Sequence, residues 1–268
     1  GYKESLHNEI KSYQGDCSNK GLIEKIFKAH NVKTVLHFAA QSSGEISFDD
    51  PERDLKTNTL STLHLLDNSV KFKVKKFMFA STMSVYGDEN ECVSEESKCS
   101  PKSFYGVGKL ASERYIQIYK DLYNLNAISL RLFNIYGPGQ NLSNLRQGMV
   151  SIYLAQLLEG DQCEVHGSLE RFRDLVYIDD VVNIVIKLLE HELFPTNIIN
   201  IGTGKKTSVK EIIKGICKAV GKEYSEITLM QPKKTLGDIN GIYADNAKLK
   251  QLMPEINFTR FSQGIKLM

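Results

Sequence analysis

Short apolar runs alternate with amphipathic helical patterns along most of the chain, and this order restricts the possible folds more than any other feature. The apolar runs, each suited to a buried parallel strand, are 34–39, 75–80, 127–133 and 197–201. Helical periodicity covers 21–28, 54–72, 105–123, 181–191 and 209–220. This alternation predicts an α/β fold with a parallel sheet and right-handed crossovers.

Small or polar residues follow three of these strands directly. Ala39-Ala40 ends the first apolar run, Ser81-Thr82 the second and Phe133-Asn134 the third. In open α/β sheets, ligands bind at the carboxyl ends of the strands. We therefore expect a binding site along this edge.

A hydroxyl, a phenol and an amine follow one another near the second strand. Tyr105 and Lys109 are four residues apart, so they share one face of the predicted helix. A cation near a phenol lowers a pKa that is otherwise near 10. With the Thr82 hydroxyl opposite, these three residues predict an acid–base site that takes a proton from an alcohol while hydride leaves its carbon. The alternative is an exposed helix pair, because twelve tyrosines in a lysine-rich chain produce such spacings by chance.

Seven collinear segments carry a family resemblance: Leu36-His-Phe-Ala-Ala40, Phe79-Ala-Ser-Thr-Met-Ser-Val-Tyr-Gly87, Ser103-Phe-Tyr-Gly-Val-Gly-Lys109, Leu130-Arg-Leu-Phe-Asn-Ile-Tyr-Gly-Pro-Gly139, Phe172-Arg-Asp-Leu-Val-Tyr-Ile-Asp-Asp180, Asn200-Ile-Gly-Thr-Gly204 and Gly237-Asp-Ile-Asn-Gly-Ile-Tyr-Ala-Asp245. Together they resemble the extended short-chain dehydrogenase/reductases, and within them the UDP-glucose 4-epimerase-like enzymes. The resemblance implies a Rossmann-like parallel sheet flanked by helices in residues 1–136. It also implies a smaller substrate lobe in 137–268, with segments near 176–201 returning to the main domain.

The start of the chain departs from the family pattern. The family opens with a strand, a glycine-rich turn, a helix and a second strand, whereas Gly1 to Leu6 resembles the segment after that second strand. The βαβ unit, commonly ~30 residues or more, would hold the cofactor pyrophosphate at its helix N-terminus. We therefore expect residues before Gly1 in the natural protein. Without them, we expect poor NAD binding and an aggregation-prone edge at 34–39.

The resemblance implies NAD as cofactor and assigns residues to it. Phe38, Ala39 and Ala40 would line the ribose and pyrophosphate, and Asp16 would lie near the adenine amino group. The remaining assigned residues are Ser42, Asn58, Tyr105 and Lys109. Three alternatives stay open: strand core for Phe38, a helix N-cap for Asp16 and a loop role for Ser42. His37 is expected to be a core histidine rather than a base.

The resemblance also implies a nucleotide-sugar substrate held by Thr82, Asn134, Arg173 and Asp238. A guanidinium suits a diphosphate because its fork binds phosphate oxygens bidentately. The alternatives are a surface ion pair between Arg173 and Asp174, and a loop cap for Asp238. The family often carries a second arginine where this chain has Thr235.

The activity implied is epimerisation at C4 of a nucleotide sugar of the UDP-glucose type, through a 4-keto intermediate. Related 4,6-dehydratases place an acidic pair after the catalytic threonine, whereas this chain has Met83 and Ser84 there. A 4-reductase or dehydrogenase of the same family, and a non-catalytic sugar-nucleotide-binding domain, remain as alternatives.

Composition fits a globular protein with an ordinary core. The 268 residues are 41% hydrophobic and carry a net charge of +2, so we expect no nucleic-acid or membrane partner. The five cysteines are scattered, which indicates reduced thiols in the cytoplasm and no structural metal. We also expect a homodimer formed by helices 54–72 and 105–123, with Leu65, Ile116 and Tyr119 facing outward.

Overall fold

A computed structural model describes residues 7, 9–88, 91–231 and 239–268. Its helices are α1 (Lys20–Ala29), α2 (Pro51–Leu55), α3 (Ser61–Lys71), α4 (Phe104–Tyr123), α5 (Met149–Glu159), α6 (Ile178–Glu190), α7 (Val209–Val220), α8 (Ala247–Leu252) and α9 (Phe261–Gly264). Its strands are β1 (Thr34–His37), β2 (Lys76–Thr82), β3 (Cys92–Val93), β4 (Ala127–Leu132), β5 (Asn134–Tyr136), β6 (Gln162–Glu164), β7 (Phe172–Arg173), β8 (Leu175–Tyr177), β9 (Ile198–Ile201), β10 (Thr207–Ser208), β11 (Thr228–Met230) and β12 (Tyr243–Ala244).

The main sheet is parallel and has the strand order β1-β2-β4-β9. Helices separate its strands along the chain, so the predicted α/β class is confirmed. Strand β1 lies at one edge, where Leu36 is 45% and Phe38 42% exposed. The remaining pairings are short two-stranded ones, among them β5 with β8 and β7 with β10. No helix within the described residues has the length and apolar character needed to cross a bilayer.

The helical segment predicted as one helix over 54–72 has three parts. It starts at Pro51, where Asp50 accepts a hydrogen bond from the Arg53 backbone at 2.9 Å. Between α2 and α3, residues Lys56–Leu60 form a π-helical turn that contains the fully buried Asn58. Such turns occur frequently at functional sites.

Two glycines allow the start of α4 to pack closely against its neighbours. Ser103 caps the helix by accepting a hydrogen bond from the Gly106 backbone at 3.1 Å. A Cβ at Gly106 would lie 2.7 Å from the carbonyl oxygen of Ser84, which follows β2, and one at Gly108 would lie 3.1 Å from the Thr59 hydroxyl in the π-helical turn. Gly106 therefore brings Tyr105 close to the end of β2, and Gly108 brings α4 close to the π-helical turn.

The outward face of the two long helices differs from the prediction. Leu65 and Ile116 are buried at 9% and 2% exposure in the core between α1, α3 and α4. Tyr119 packs against the same core and bonds through its hydroxyl to Asp67. The prediction placed these side chains on the outward face of the helices, because an apolar side chain alone does not show which side of a helix meets the sheet.

His37 is a buried core residue, as the sequence suggested. Its exposure is 2%, and its Nε2 lies 3.0 Å from the Thr62 hydroxyl. Burial lowers its pKa to about 3, with a smaller contribution from Lys109. The folded state therefore stays unprotonated where an unfolded histidine, with a pKa of about 6.5, takes up a proton.

We predict that His37 makes the fold sensitive to mild acid. Between pH 7 and 5 the unfolded state binds more protons than the folded state, so stability falls as the pH falls. Relative to His37→Gln, the wild-type protein should lose about 2 kcal/mol more unfolding free energy over this interval. Urea titrations of both proteins at the two pH values measure the difference, and equal losses would contradict the assignment.

Candidate active site

A cavity of about 700 Å³ opens at the carboxyl edge of the main sheet. Its walls come from the segments after β1, β2 and β4, from the start of α4, and from residues of α5, β6 and β7. Of the residues predicted from sequence, it brings together Phe38, Ala40, Ser42, Thr82, Tyr105, Lys109, Asn134 and Arg173.

Thr82, Tyr105 and Lys109 form a compact polar group in this cavity. The Thr82 hydroxyl lies close enough to Tyr105 to lower the pKa of the phenol. The Lys109 ammonium donates to the Ala80 carbonyl oxygen at 2.8 Å and lies 6.0 Å from the centre of the Tyr105 ring. All three are at least nine-tenths buried.

Burial dominates the ionisation of this group. It raises the pKa of Tyr105 to about 12, against a smaller lowering by the Thr82 hydrogen bond. It also lowers the pKa of Lys109 to about 8, against the attraction of Asp54. The expectation that Lys109 lowers the pKa of Tyr105 is therefore not met, because loss of water around the phenol outweighs its distant neighbours.

Ser84 is joined to Thr82 by two contacts. Thr82 donates its hydroxyl to the Ser84 hydroxyl at 3.2 Å and accepts from the Ser84 backbone at 3.1 Å. Met83 is 8% exposed and belongs to the core. Neither residue can serve as the acid or base that an elimination needs.

The residues assigned to NAD divide into two groups. Phe38, Ala40 and Ser42 line the cavity, whereas Ala39 and Asp16 lie outside its lining. Asp16 is exposed and accepts from the Ser18 backbone at 2.7 Å, which lowers its pKa. The N-cap alternative for Asp16 is wrong, because α1 is capped by Asn19.

Asn58 lies behind the cavity in a polar cluster that sequence reasoning missed. Its amide donates to Asp54 at 3.0 Å, and Gln41 donates to the same carboxylate at 2.7 Å. The Asn58 Oδ1 atom is buried and has no hydrogen-bond partner among the described residues. An orphaned buried acceptor close to the start of α4, where a Cβ at Gly108 would lie 3.6 Å from the Asn58 Cβ, fits a site for NAD, whose ribose hydroxyls and amide offer donors.

The opposite wall of the cavity carries polar groups suited to a substrate. The Asn134 Oδ1 atom is buried and has no partner among the described residues. Arg173 is 5% exposed and donates to the Phe172 carbonyl oxygen at 2.7 Å. Burial, followed by repulsion from Arg171, lowers the pKa of Arg173 to about 10.

The predicted alternative of a surface ion pair between Arg173 and Asp174 is wrong. Asp174 is fully buried and accepts from the Thr203 and Gly204 backbones at 2.8 and 2.9 Å. It also accepts from the Ala244 backbone at 3.0 Å, so it ties the turn after β9 to β12. Asp238 and Thr235 lie outside the described residues.

Two cavity residues, Arg171 and Tyr153, were not found from the sequence. Arg171 is 3% and Tyr153 4% exposed, and the two side chains are close enough for each to act on the pKa of the other. The spacing of Arg171 and Arg173, two residues apart in an extended segment, was the one available signal. No such signal marked Tyr153, because its sequence surroundings are those of an ordinary residue of an apolar helix.

Comparison with known proteins identifies the family. Residues 2–202 match the model of the NAD dependent epimerase/dehydratase family. The chain is 33% identical to a putative UDP-glucose 4-epimerase of Methanocaldococcus jannaschii over 99% of its length and 85% of that protein.

Two solved structures resemble the whole chain. A UDP-glucose 4-epimerase of Thermotoga maritima, with UDP-glucose, gives a TM-score of 0.90 at 33% identity, covering 100% of this chain and 85% of that one. The Thermus thermophilus UDP-glucose 4-epimerase in complex with NAD gives 0.87 at 30% identity, covering 100% and 86%. The family model matches most of this chain, and the Rossmann-like sheet carries a Thr–Tyr–Lys site. This chain therefore belongs to the NAD dependent epimerase/dehydratase family.

Proposed function

We propose that this protein epimerises C4 of a nucleotide sugar of the UDP-glucose type, through a 4-keto intermediate and with NAD. The observation that carries the proposal is the buried Thr82–Tyr105–Lys109 group in one cavity with Asn134 and Arg173. We also propose the domain division expected from the sequence, with residues 1–136 binding the cofactor and 137–268 mainly the substrate.

The proton chemistry rests on two hydroxyls. Thr82 and Tyr105 are close neighbours in one cavity, so both can contact the 4-hydroxyl of a sugar bound there. Tyr105 takes the proton from this hydroxyl as a phenolate and returns it to the oxygen at the end of the cycle. Since burial holds its pKa near 12, the phenolate needs added positive charge close to the phenol oxygen.

Lys109 supplies an ammonium in a water-poor site. With a pKa of about 8 it remains mainly charged at neutral pH, and its bond to Ala80 fixes its position. Phe38, Ala40, Ser42, Asn58 and Lys109 would hold NAD. Bound NAD supplies the acceptor and donor of hydride at C4.

Two incubations separate this activity from its rivals. In the first, the intact protein is mixed with NAD and UDP-glucose, and the sugar products are resolved by NMR. Epimerisation gives UDP-galactose without net NADH, a dehydrogenase accumulates NADH, and a non-catalytic binding domain gives binding without turnover. In the second, the protein is mixed with NADH and a 4-keto nucleotide sugar, and a 4-reductase consumes the NADH.

We predict that Tyr105→Phe lowers turnover by about 10² to 10⁴ while leaving the fold intact, because the change removes one hydroxyl. Tyr115→Phe on the same helix is the control, since Tyr115 is 36% exposed and outside the cavity. Rates are measured with UDP-glucose, and circular dichroism checks folding. Near-normal turnover of Tyr105→Phe would show that another group is the base.

We also propose a homodimer, through a different helix face from that predicted. Large apolar side chains repeat at helical spacing along the outer side of α4: Phe104, Val107, Tyr115, Ile118 and Leu122, exposed at 47%, 53%, 36%, 48% and 69%. Leu55 and Leu60 are exposed at 55% and 36% on the neighbouring helical segment. Monomers seldom leave such a long apolar stripe open, and a two-fold axis would pair it with its own copy.

A cytoplasmic location is proposed from the free cysteines.

The dimer prediction is tested by placing charge on this stripe. Ile118→Glu should convert a dimer into a monomer, since an unpaired carboxylate would be buried at the interface. Val182→Glu on α6 is the control, because Val182 is 45% exposed away from the stripe. Light scattering at micromolar concentration measures the mass; a monomeric wild-type protein would refute the assembly.

A further inference from the structure

We propose that Arg171 is a second anion-binding residue of the substrate site, acting beside Arg173 on the diphosphate of the nucleotide sugar. The proposal rests on the proposed function for the class of substrate. It assigns a role to a residue that the sequence motifs did not mark.

Arg171 and Arg173 present two guanidinium groups to one cavity. Both side chains line it, and both residues are at least nine-tenths buried, with exposures of 3% and 5%. They are close enough for Arg171 to contribute to the lowered pKa of Arg173. Because both line one cavity, a ligand with two adjacent anionic groups, such as a diphosphate, can contact both.

The Arg171 side chain is held in place by its own loop. Its Nε donates to the Ser168 carbonyl oxygen at 3.3 Å. A Cβ at Gly167 would lie 3.2 Å from this Nε, so the glycine lets the guanidinium lie against the backbone. Gly167 also has φ +91°, which disfavours other residues.

Tyr153 orients the same guanidinium from the other side. It lies on α5, lines the cavity, and its side chain is close enough to Arg171 for the two to interact electrostatically. Tyr153 is therefore a positioning residue for Arg171. A guanidinium fixed in this way loses little conformational freedom when it binds phosphate oxygens.

Arg146, the other arginine along the cavity, has a different environment. Its guanidinium bonds to Glu45 at 2.9 Å and to Asp49 at 2.7 Å, and 45% of its side chain is exposed. It lies at the surface in these two ion pairs, so it is a poor candidate for the anion site. The burial of Arg171 and Arg173 and their shared position along the cavity single them out.

The test compares ligands that differ only in their phosphates. Calorimetry measures the affinity of the intact protein for UDP and for uridine. Arg171→Gln should weaken UDP binding about 10- to 100-fold, the loss of a charge-assisted hydrogen bond, and change uridine binding less than about 2-fold. Arg171→Lys should keep part of the affinity, and Tyr153→Phe should weaken UDP binding less than Arg171→Gln does. Arg114→Gln, an exposed arginine outside the cavity, is the control and should bind UDP as wild type does.

Two outcomes would overturn the inference: unchanged UDP affinity in Arg171→Gln, or an equal loss for UDP and uridine, which marks a structural role. Should Arg171→Gln fail to fold, the ratio of UDP to uridine affinity is measured for Arg171→Lys instead. A ratio equal to that of the wild-type protein would then overturn the inference. A wild-type protein that epimerises UDP-glucose while Arg171→Gln binds UDP normally contradicts this inference alone. A wild-type protein that neither binds UDP nor converts UDP-glucose contradicts the proposed function and the inference together.

Discussion

The buried ion pair between Arg131 and Glu113 joins the three elements on which the site is built. Arg131 projects from β4, and its Nε and Nη2 donate to the Glu113 carboxylate of α4 at 3.0 and 2.7 Å. Ser81 of β2 donates to the same carboxylate and lies opposite Arg131 in the strand register. Removing one partner of such a pair commonly costs about 3–5 kcal/mol, because the other charge remains buried. The pair therefore favours one arrangement of β2, β4 and α4.

This arrangement fixes the relative positions of the reacting groups. Thr82 follows Ser81 directly, and Tyr105, Lys109 and Glu113 recur every four residues on α4. A contact between Ser81 and Glu113 therefore holds the two hydroxyls of the site near each other from one side. The close approach at Gly106 does so from the other. The network continues from Arg131 to Tyr86 at 3.0 Å and from Tyr86 to Asn200 at 2.6 Å, which extends it to β9.

The sequence was informative where a pattern depends on local order. Alternating strands and helices predicted the sheet, and three strand ends predicted the edge where Ala40, Thr82 and Asn134 now meet in one cavity. Short strands such as β5 and β7 were missed because two or three residues carry no periodicity. Patterns that depend on three-dimensional surroundings misled the interpretation. The alternative of an ion pair between Arg173 and Asp174 is one case, since adjacent residues of an extended segment point to opposite faces.

Ionisation at the site shows the same limit, since a sequence lists charges but not their exposure to water. Lys109 near Tyr105 predicted a lowered phenol pKa, and burial reverses the sign. The outer face of α4 was assigned through Ile116, which lies against the core. In each case the missing information was how much water a side chain retains, which only the packed structure supplies.

Four arginines of this protein differ in the direction of their pKa shifts. Burial lowers the pKa of Arg131, but Glu113 outweighs it and the pKa is raised; at Arg146, hydrogen bonds to Asp49 and Glu45 raise the pKa directly. At Arg171 and Arg173 burial lowers the pKa, and both side chains line the cavity.

Burial of a cation costs stability, and an anionic ligand that binds to the folded state offsets part of this cost. Lys109 resembles the two buried arginines of the cavity, since burial also lowers its pKa and it lines the same cavity. In the core, the Glu113 carboxylate lies against Arg131. In the cavity, the phosphates of the substrate and cofactor would bring negative charge to the wall that Lys109, Arg171 and Arg173 line.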